Sequence, residues 1–360
     1  MALKHPAGHD HEKVTTMAGI SLKRSQVTDL VSIIIPTYRA EQYIGETLDS
    51  ISHQTHGNWE VIVVEDGQSG PTQAIVEDFA RRHPDNRVEY SASGKNFGPS
   101  HSRNVAFAKA AGEFIALLDS DDRWFPDHLS RSVRELRETG KDLAYSTVIT
   151  IEDRTDRILG TWGPQGCDLE DLPNRLFNRN FISPSATVFR RSVLEKVGAW
   201  DSDLRYCEDL SFWLRCYAAG VQFHYVGGCH CLYRKNHAGA ATQKQCATLE
   251  MFAIVAQRYM QLPGLRPKLL RRFVGKAYVR AADAHVKADP TRDPSADRSR
   301  ALPLLLRAWR IRPTAPMYLF KALKIAIAEG LRGRGPTRLA PVAPYVLPGT
   351  GAQEPMRRAA

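Results

Sequence analysis

Three short, mainly apolar runs, each followed by a polar turn, constrain the fold of this chain most strongly. The runs occupy residues 31–35, 59–64 and 114–118, and the first two are followed by sequences with helical apolar spacing. Runs of this length between turn signals are typical of buried strands. Strands that alternate with helices in this way form parallel sheets covered by helices on both faces. The sequence therefore predicts a Rossmann-like α/β domain with a mostly parallel sheet.

A cluster of acids follows the third run. Asp119, Asp121 and Asp122 come directly after residues 114–118, and ligands of such sheets bind beyond the carboxyl ends of the strands. Close carboxylates repel one another unless a cation or hydrogen-bond donors compensate, and Mg²⁺ or Mn²⁺ share oxygen ligands with substrate phosphates. The cluster predicts a metal-assisted nucleotide-diphosphate site. An acidic turn that caps the helix near Pro126 is the alternative.

Two other strand ends carry residues suited to a nucleobase. Tyr38 follows the first run and Asp66 the second, so a base could stack on the ring and donate a ring N–H to the carboxylate. A packing role for Tyr38 and an Asx turn at Asp66 are the alternatives. Arg103, on the predicted helix before the third run, is placed to neutralise a phosphate or a carboxylate of the acid cluster. A solvated arginine is its alternative.

A helical pattern begins at Glu208 and Asp209 and is terminated by Gly220. Both acids lie in the first turn, where the helix dipole favours negative charge. Simple stabilisation of the helix is therefore one explanation for them, and chemistry at the helix N-terminus is the other.

Composition divides the 360-residue chain into four parts. Residues 1–30 contain no apolar run long enough for a signal peptide or a membrane span and are expected to be a disordered leader. Residues 31–245 are predicted to form the α/β domain, residues 246–335 a basic amphipathic helical region, and residues 336–360 a flexible tail rich in Pro and Gly. Six cysteines without a CxxC pair indicate reduced thiols and a cytoplasmic protein.

Charge is distributed unevenly along the chain. Residues 251–360 contain 21 Lys and Arg against 6 Asp and Glu, a balance of +15, whereas the preceding residues carry −5. No nucleic-acid reading motif accompanies these basic residues, so no nucleic-acid partner is expected. Anionic lipid attracts each nearby Lys or Arg by about 1 kcal/mol, which predicts peripheral binding at the inner face of a membrane. A helical appendage packed on the α/β domain with a solvated basic exterior is the alternative.

An ordered set of segments within residues 31–240 resembles the nucleotide-sugar glycosyltransferases of family 2, which have the GT-A fold. The segments are VSIIIPTYRAEQYIGETLDSISHQT, WEVIVVEDGQSGPT, NFGPSHSRNVAFAKAAGEFIALLDSDDRWFPDHL, ATVFRRSVLEKVGAWD, EDLSFWLR and YRKNHAG. The resemblance implies that Pro36, Thr37, Tyr38 and Asp66 hold the base of the donor, and that Arg103 approaches its diphosphate or the acid cluster.

The resemblance also implies roles for the DxD-type motif and the loop near residue 237. Asp119 and Asp121 would contact the donor, with Asp121 facing the ribose or the metal. Asp122 would be the principal ligand of Mn²⁺ or Mg²⁺, and His237 is a candidate further ligand. A surface loop histidine is the alternative for His237.

Asp209 would be the catalytic base, with Glu208 beside it. Relatives often carry a second acid two places after the base, where this chain has Ser211. The implied activity is inverting transfer of a sugar, of the hexosyltransferase type, from a nucleoside-diphosphate donor, with uridine favoured. The acceptor would be a hydroxyl of a glycan or a lipid-linked molecule in polysaccharide or glycoconjugate synthesis of the cell envelope. A catalytically inactive GT-A protein that binds nucleotide sugars or acts as a scaffold is the alternative.

Residues 150–185 are predicted to select the acceptor. Trp162, Phe177 and Phe181 lie in this segment and could stack on a sugar ring or pack in the core.

Overall fold

The computed structural model of the protein describes residues 29–235, 244–291, 293–330 and 339–345. In this part of the chain nine strands form one sheet with helices packed around it. The strands are β1 Val31–Thr37, β2 Trp59–Glu65, β3 Val88–Ala92, β4 Phe114–Leu117, β5 Arg123–Trp124, β6 Leu143–Glu152, β7 Ile158–Trp162, β8 Thr187–Arg190 and β9 Phe223–Lys235. The helices are α1 Ile44–Ser52, α2 Pro71–Arg82, α3 Pro99–Lys109, α4 His128–Thr139, α5 Leu172–Leu176, α6 Ser192–Val197, α7 Glu208–Ala218, α8 Gln245–Tyr259, α9 Pro267–Lys287, α10 Ala301–Ile311 and α11 Pro316–Gly330.

The first half of the sheet is parallel, as the alternation of strands and helices predicted. Strand β1 lies between β2 and β4, and β3 pairs with β2, all in parallel. The second half is mixed, because β8 runs antiparallel to both β4 and β6, while β6 and β9 are parallel. The α/β class is confirmed, but the sheet is less uniformly parallel than the sequence indicated.

The parallel half brings three strand ends to one edge of the sheet. Thr37 at the end of β1 is in register with Glu65 at the end of β2, and Ile34 is in register with Leu117 at the end of β4. All three strands are fully buried. The polar residues that follow each strand are therefore displayed along the same edge.

The helical region after residue 244 shares its core with the sheet. One buried cluster includes Ile34 of β1, Trp213 of α7, Leu270 of α9 and Leu304 of α10. The helical region predicted from the sequence after the α/β domain is thus confirmed as α8, α9, α10 and α11, and these helices pack on the α/β domain. Among the described residues, no helix is both long and apolar enough to cross a lipid bilayer.

A buried ion-pair cluster holds these helices together. Glu250 of α8 accepts hydrogen bonds from Arg300 and, at 3.1 Å, from His285 Nε2 of α9. His285 Nδ1 accepts the backbone N–H of Asp297 at 3.0 Å, so Nε2 carries the ring proton. Burial raises the pKa of Glu250, but the hydrogen bonds from Arg300 and His285 and the positive charge of Arg300 outweigh this effect and lower that pKa to about 2.

We predict that Glu250→Gln destabilises the protein in a pH-dependent way. A carboxylate whose folded pKa lies below its unfolded value contributes stability above the unfolded pKa, and this stability is lost as pH falls through the folded pKa. The variant should lose about 3 kcal/mol of unfolding free energy near neutral pH, and the difference should vanish near pH 2.

Urea unfolding across this pH range measures the difference. Glu195→Gln is the control, because Glu195 is exposed and its replacement should change stability by less than about 0.5 kcal/mol. Equal unfolding midpoints for Glu250→Gln and the wild type near neutral pH would contradict the prediction.

Candidate active site

A cleft of about 520 Å³ opens at the ends of β1 and β2, and we call it the strand-end cleft. Its lining includes Pro36, Thr37, Tyr38 and Asp66, which are the four residues that the sequence assigned to the base of a donor. The Tyr38 side chain is 48% exposed, and the Arg39 guanidinium lies 5.2 Å from its ring centroid. The cleft therefore offers an accessible aromatic face beside a carboxylate.

Asp66 has a structural role that the sequence analysis missed. Its Oδ1 accepts the backbone N–H of Phe97 at 2.7 Å, and its Oδ2 accepts that of Gly98 at 2.8 Å. Gly98 has φ of 100°, a left-handed conformation that favours glycine, and Pro99 then begins α3. Asp66 thus fixes the loop that enters α3. A carboxylate has about four acceptor positions, so a base N–H can still be accepted.

Arg103 connects β4 to α7 through buried ion pairs. This residue of α3 is only 2% exposed, and it donates from Nη2 to Asp119 Oδ1 at 2.6 Å and from Nη1 to Glu208 Oε1 at 3.0 Å. Its guanidinium also lies 4.5 Å from the ring centroid of Trp200. Of the two partners that the sequence left open for Arg103, the structure shows the acid cluster. The contact with Glu208 was not predicted.

Asp209 lies in the first turn of α7, as the helical spacing predicted. Cys207 precedes the helix with φ of 57°, and this left-handed residue turns the chain into α7. Asp209 Oδ1 accepts the N–H of Leu210 and its Oδ2 accepts Asn180 Nδ2, both at 2.7 Å. Burial, followed by the negative charge of Glu208, raises the pKa of Asp209 to about 7.

Asn180 is the residue beside Asp209 that sequence analysis did not find. It lies 29 positions before Asp209 along the chain, in a segment without regular secondary structure. An isolated Asn in such a segment gives no sequence signal of its partner.

Asp209 lines a second cavity of about 390 Å³, which we call the α7 pocket. The two cavities adjoin, because Pro99, Arg205 and Tyr206 line both. The remaining lining of the α7 pocket combines acids, aromatic rings and side chains of α8 and α9. It includes Asp119, Glu208, Asp209, Trp162, Tyr233, Leu249, Phe252, Ala277 and Arg280. The helical region thus supplies one wall of the pocket that contains Asp209.

The structure corrects part of the expected acceptor surface. Trp162 lines the α7 pocket and donates from Nε1 to the carbonyl of Asn180 at 2.9 Å. Phe177 and Phe181 are fully buried in the core and cannot stack on a ligand. Their hydrophobicity reflects packing, which was the alternative reading of the sequence.

The chemistry around Asp122 is compatible with a bound cation. Asp122 is 1% exposed, and its Oδ1 accepts the backbone N–H of Arg234 at 2.9 Å. Its Oδ2 is buried without a hydrogen bond in the described part of the chain. Burial, together with the charges of Asp121 and Asp119, raises the pKa of Asp122 well above its ordinary range. A cation at Oδ2 would offset the free-energy cost of keeping this buried carboxylate ionised.

The described residues contain no group of three or more His, Cys, Asp or Glu arranged to hold a metal ion. His237 lies outside the described residues, so its proposed role as a ligand stays a prediction. Asp121 and Asp122 remain the predicted ligands. A site of this kind would need diphosphate oxygens to complete the coordination, as is usual for Mg²⁺.

The family model of glycosyl transferase family 2 matches residues 32–198. The chain contains a family 2 glycosyltransferase domain. The match includes Asp66, Arg103 and the acid cluster, and it ends before α7.

Two relatives with specific names are bacterial glycosyltransferases. The putative teichuronic acid biosynthesis glycosyltransferase TuaG of Bacillus subtilis is 28% identical over 216 residues, which is 60% of this chain and 82% of that protein. The UDP-Glc:α-D-GlcNAc-diphosphoundecaprenol β-1,3-glucosyltransferase WfgD of Escherichia coli is 33% identical over 126 residues, which is 35% of this chain and 48% of that protein.

Solved structures show the same fold over most of this chain. Residues 1–349 of S. aureus TarS, crystallised with UDP, match with a TM-score of 0.58 and 21% identity, covering 84% of this chain and 91% of that one. A longer TarS chain matches with a TM-score of 0.59 and 21% identity, covering 83% of this chain and 53% of that one. The predicted GT-A fold is confirmed.

We predict that Arg103→Met strongly destabilises the enzyme. The substitution leaves Asp119 and Glu208 without their buried cation, and breaking a buried pair in this way costs about 3–5 kcal/mol. Arg103→Lys should lose less stability, because it keeps the positive charge. It should still be less stable than the wild type, since an ammonium cannot reproduce the planar, bidentate geometry of the guanidinium. Thermal unfolding of both variants measures the effect.

Arg81→Met is the matched control. Arg81 pairs with Asp78 on the exposed surface of α2 at 3.0 Å, and such pairs contribute about 0–1 kcal/mol. If Arg103→Met and the wild type unfold at the same temperature, the buried ion pairs of Arg103 do not stabilise the site.

Proposed function

We propose that this glycosyltransferase moves a sugar from a UDP-sugar to an acceptor hydroxyl with inversion at the anomeric carbon. The observation that carries the proposal is the Asp209 carboxylate, which has a pKa of about 7 and lines the α7 pocket. This pocket adjoins the strand-end cleft. A general base is most effective when its pKa lies near the working pH. The acceptor hydroxyl and the donor would meet where the two cavities join.

The strand-end cleft is suited to the nucleotide. A uracil ring stacked on Tyr38 could donate its ring N–H to Asp66, while the diphosphate extends toward Asp119 and Asp121. The relative WfgD carries UDP-Glc in its name, which supports a uridine donor for this chain. Mn²⁺ or Mg²⁺ held by Asp121 and Asp122 would supply positive charge for the departing diphosphate.

In the proposed reaction, Asp209 takes the proton of the acceptor hydroxyl. The hydroxyl oxygen forms a bond to the anomeric carbon from the face opposite the diphosphate. The bond between that carbon and the diphosphate oxygen breaks, and its electron pair leaves with UDP. Asn180 and the N–H of Leu210 hold the Asp209 carboxylate in position during this step.

The α7 pocket is suited to a sugar-containing acceptor. Trp162, Tyr233 and Phe252 provide aromatic surfaces on which a sugar ring can stack, and Arg280 of α9 adds a positive charge at the wall. WfgD is named for a lipid-diphosphate acceptor. We propose a glycan or lipid-linked acceptor for this chain, selected in part by α8 and α9.

We predict that Asp209→Asn lowers sugar transfer by about 10²–10⁴-fold, because it removes the base and keeps the shape of the side chain. Thermal stabilisation by UDP should be unchanged. Release of UDP from a panel of UDP-sugars, with Mn²⁺ or Mg²⁺ and candidate acceptors, measures turnover, and a chelator arm tests the metal.

Asp85→Asn is the control. Because Asp85 is exposed, this variant should retain full activity. Full activity of Asp209→Asn would contradict the assignment of Asp209 as the base. If the wild type binds UDP but releases none from any donor in the panel, the inactive binding or scaffolding protein is the better description.

We predict a pH dependence that follows Asp209. Only the ionised carboxylate can accept a proton, so kcat should rise as pH increases through about 7 and level off above it. Asn180→Ala removes a hydrogen bond that favours the ionised form and should move the midpoint to higher pH. Initial rates across the pH range test both statements, and a profile that is flat through neutral pH would argue against Asp209 as the base.

A further inference from the structure

Helix α11 exposes a continuous apolar surface that the proposed reaction does not use. Five large apolar side chains on this helix are between 42% and 63% exposed, and we call them the α11 face. They are Met317, Leu319, Phe320, Leu323 and Ile327. Met317, Phe320, Leu323 and Ile327 follow one another at intervals of three or four positions. Leu319 lies four positions before Leu323, so all five lie on one side of the helix. Half of the exposed large apolar side chains in the described part of the chain belong to this face.

The opposite side of α11 packs on α10 and also contacts α9. Tyr318 and Ala322 are buried, and Tyr318 lies so close to Gly275 that a Cβ there would be 3.3 Å from its ring. Lys321 Nζ pairs with Asp283 Oδ2 of α9 at 3.0 Å. The α11 face is therefore held outward by packing on the other side of the helix.

Positive charge surrounds the α11 face. Lys324 Nζ lies 4.8 Å from the ring centroid of Phe320. Residues 301–330 contain five Lys and Arg and one acid, Glu329, a balance of +4. A second copy of this chain placed on the face would bring two such positive surfaces together, which is unfavourable. A negatively charged surface is the complementary partner.

We propose that the α11 face docks on an anionic lipid bilayer. The helix would lie in the plane of the interface, with its apolar side chains at the boundary between head groups and acyl chains and its basic residues near lipid phosphates. Lys324 can keep its ammonium in the head-group layer while its stem follows the apolar surface. The proposal therefore assigns membrane contact to one helix of the basic region. The net charge of the sequence did not locate this contact.

Docking through α11 would bring the α7 pocket to the membrane through α9. Helix α9 contacts α11 through Gly275 and Asp283, and it lines the pocket through Ala277 and Arg280. A rigid 21-residue helix thus joins the proposed docking surface to the proposed acceptor site. The role of the α7 pocket as an acceptor site rests on the proposed function, whereas docking of the α11 face on a membrane does not.

The test uses the full chain, because deletion of residues 251–360 would remove Leu270 and Leu304 from the core that they share with Trp213 and Leu214. Wild-type protein is sedimented with phosphatidylcholine vesicles, with and without phosphatidylglycerol. We expect binding to the anionic vesicles only, with a loss of affinity as salt rises. Phe320→Glu combined with Ile327→Glu should weaken this binding by roughly tenfold or more.

Ile158→Glu combined with Leu159→Glu is the matched control, since these side chains are also exposed but lie on β7. It should bind anionic vesicles like the wild type. Unchanged thermal stabilisation of both double variants by UDP shows that they are folded, and it reports on the donor site independently of membrane binding.

Three results would overturn the proposal. The first is equal sedimentation with neutral and anionic vesicles, and the second is wild-type binding by the α11 variant. The third is a wild-type dimer in light scattering that becomes a monomer in the α11 variant without vesicle binding, which would assign the face to a second copy.

Discussion

The site depends on one buried guanidinium. Arg103 is nearly inaccessible to solvent and is shared between Asp119 at the end of β4 and Glu208 at the start of α7. A buried charge is tolerated only when it is well paired, so the two carboxylates cannot move apart without a large cost. The guanidinium therefore fixes the distance between the strand end that is proposed to meet the donor and the helix that carries the proposed base.

The same network sets the chemistry of Asp209. Its pKa is raised by burial and then by the negative charge of Glu208, and Arg103 holds Glu208 beside it. Asn180 and the N–H of Leu210 act in the other direction, because they donate to the ionised form. The result is a carboxylate that titrates near neutral pH in a pocket large enough for a sugar.

The two cavities draw on different parts of the chain. The strand-end cleft is built mainly by loops of the parallel half of the sheet, inside the segment that matches the family model. The α7 pocket takes walls from β7, β9, α8 and α9, most of which lie outside that segment. The proposed donor site and the proposed acceptor site are thus built from separate elements, so one fold could combine the same donor site with different acceptor sites.

Much of the fold and part of the site followed from the sequence alone. Apolar runs and helical spacing depend on local residue order, so they predicted β1, β2, β4, α7 and the helices after residue 244. The alternation of strands and helices also implied that Tyr38, Asp66 and Asp119 reach one edge of the sheet. Ordered motifs identified the family, because each short segment kept its expected place along the chain.

Tertiary structure decided the rest, for reasons that no local pattern contains. The direction of β8, the burial of Phe177 and the pairing of Asn180 with Asp209 all depend on contacts between distant parts of the chain. The sequence showed that residues 251–360 are basic and amphipathic, but both faces of α11 carry apolar residues. Packing against α9 and α10 buries Tyr318 and leaves Phe320 exposed, because a helix face becomes interior when another element covers it.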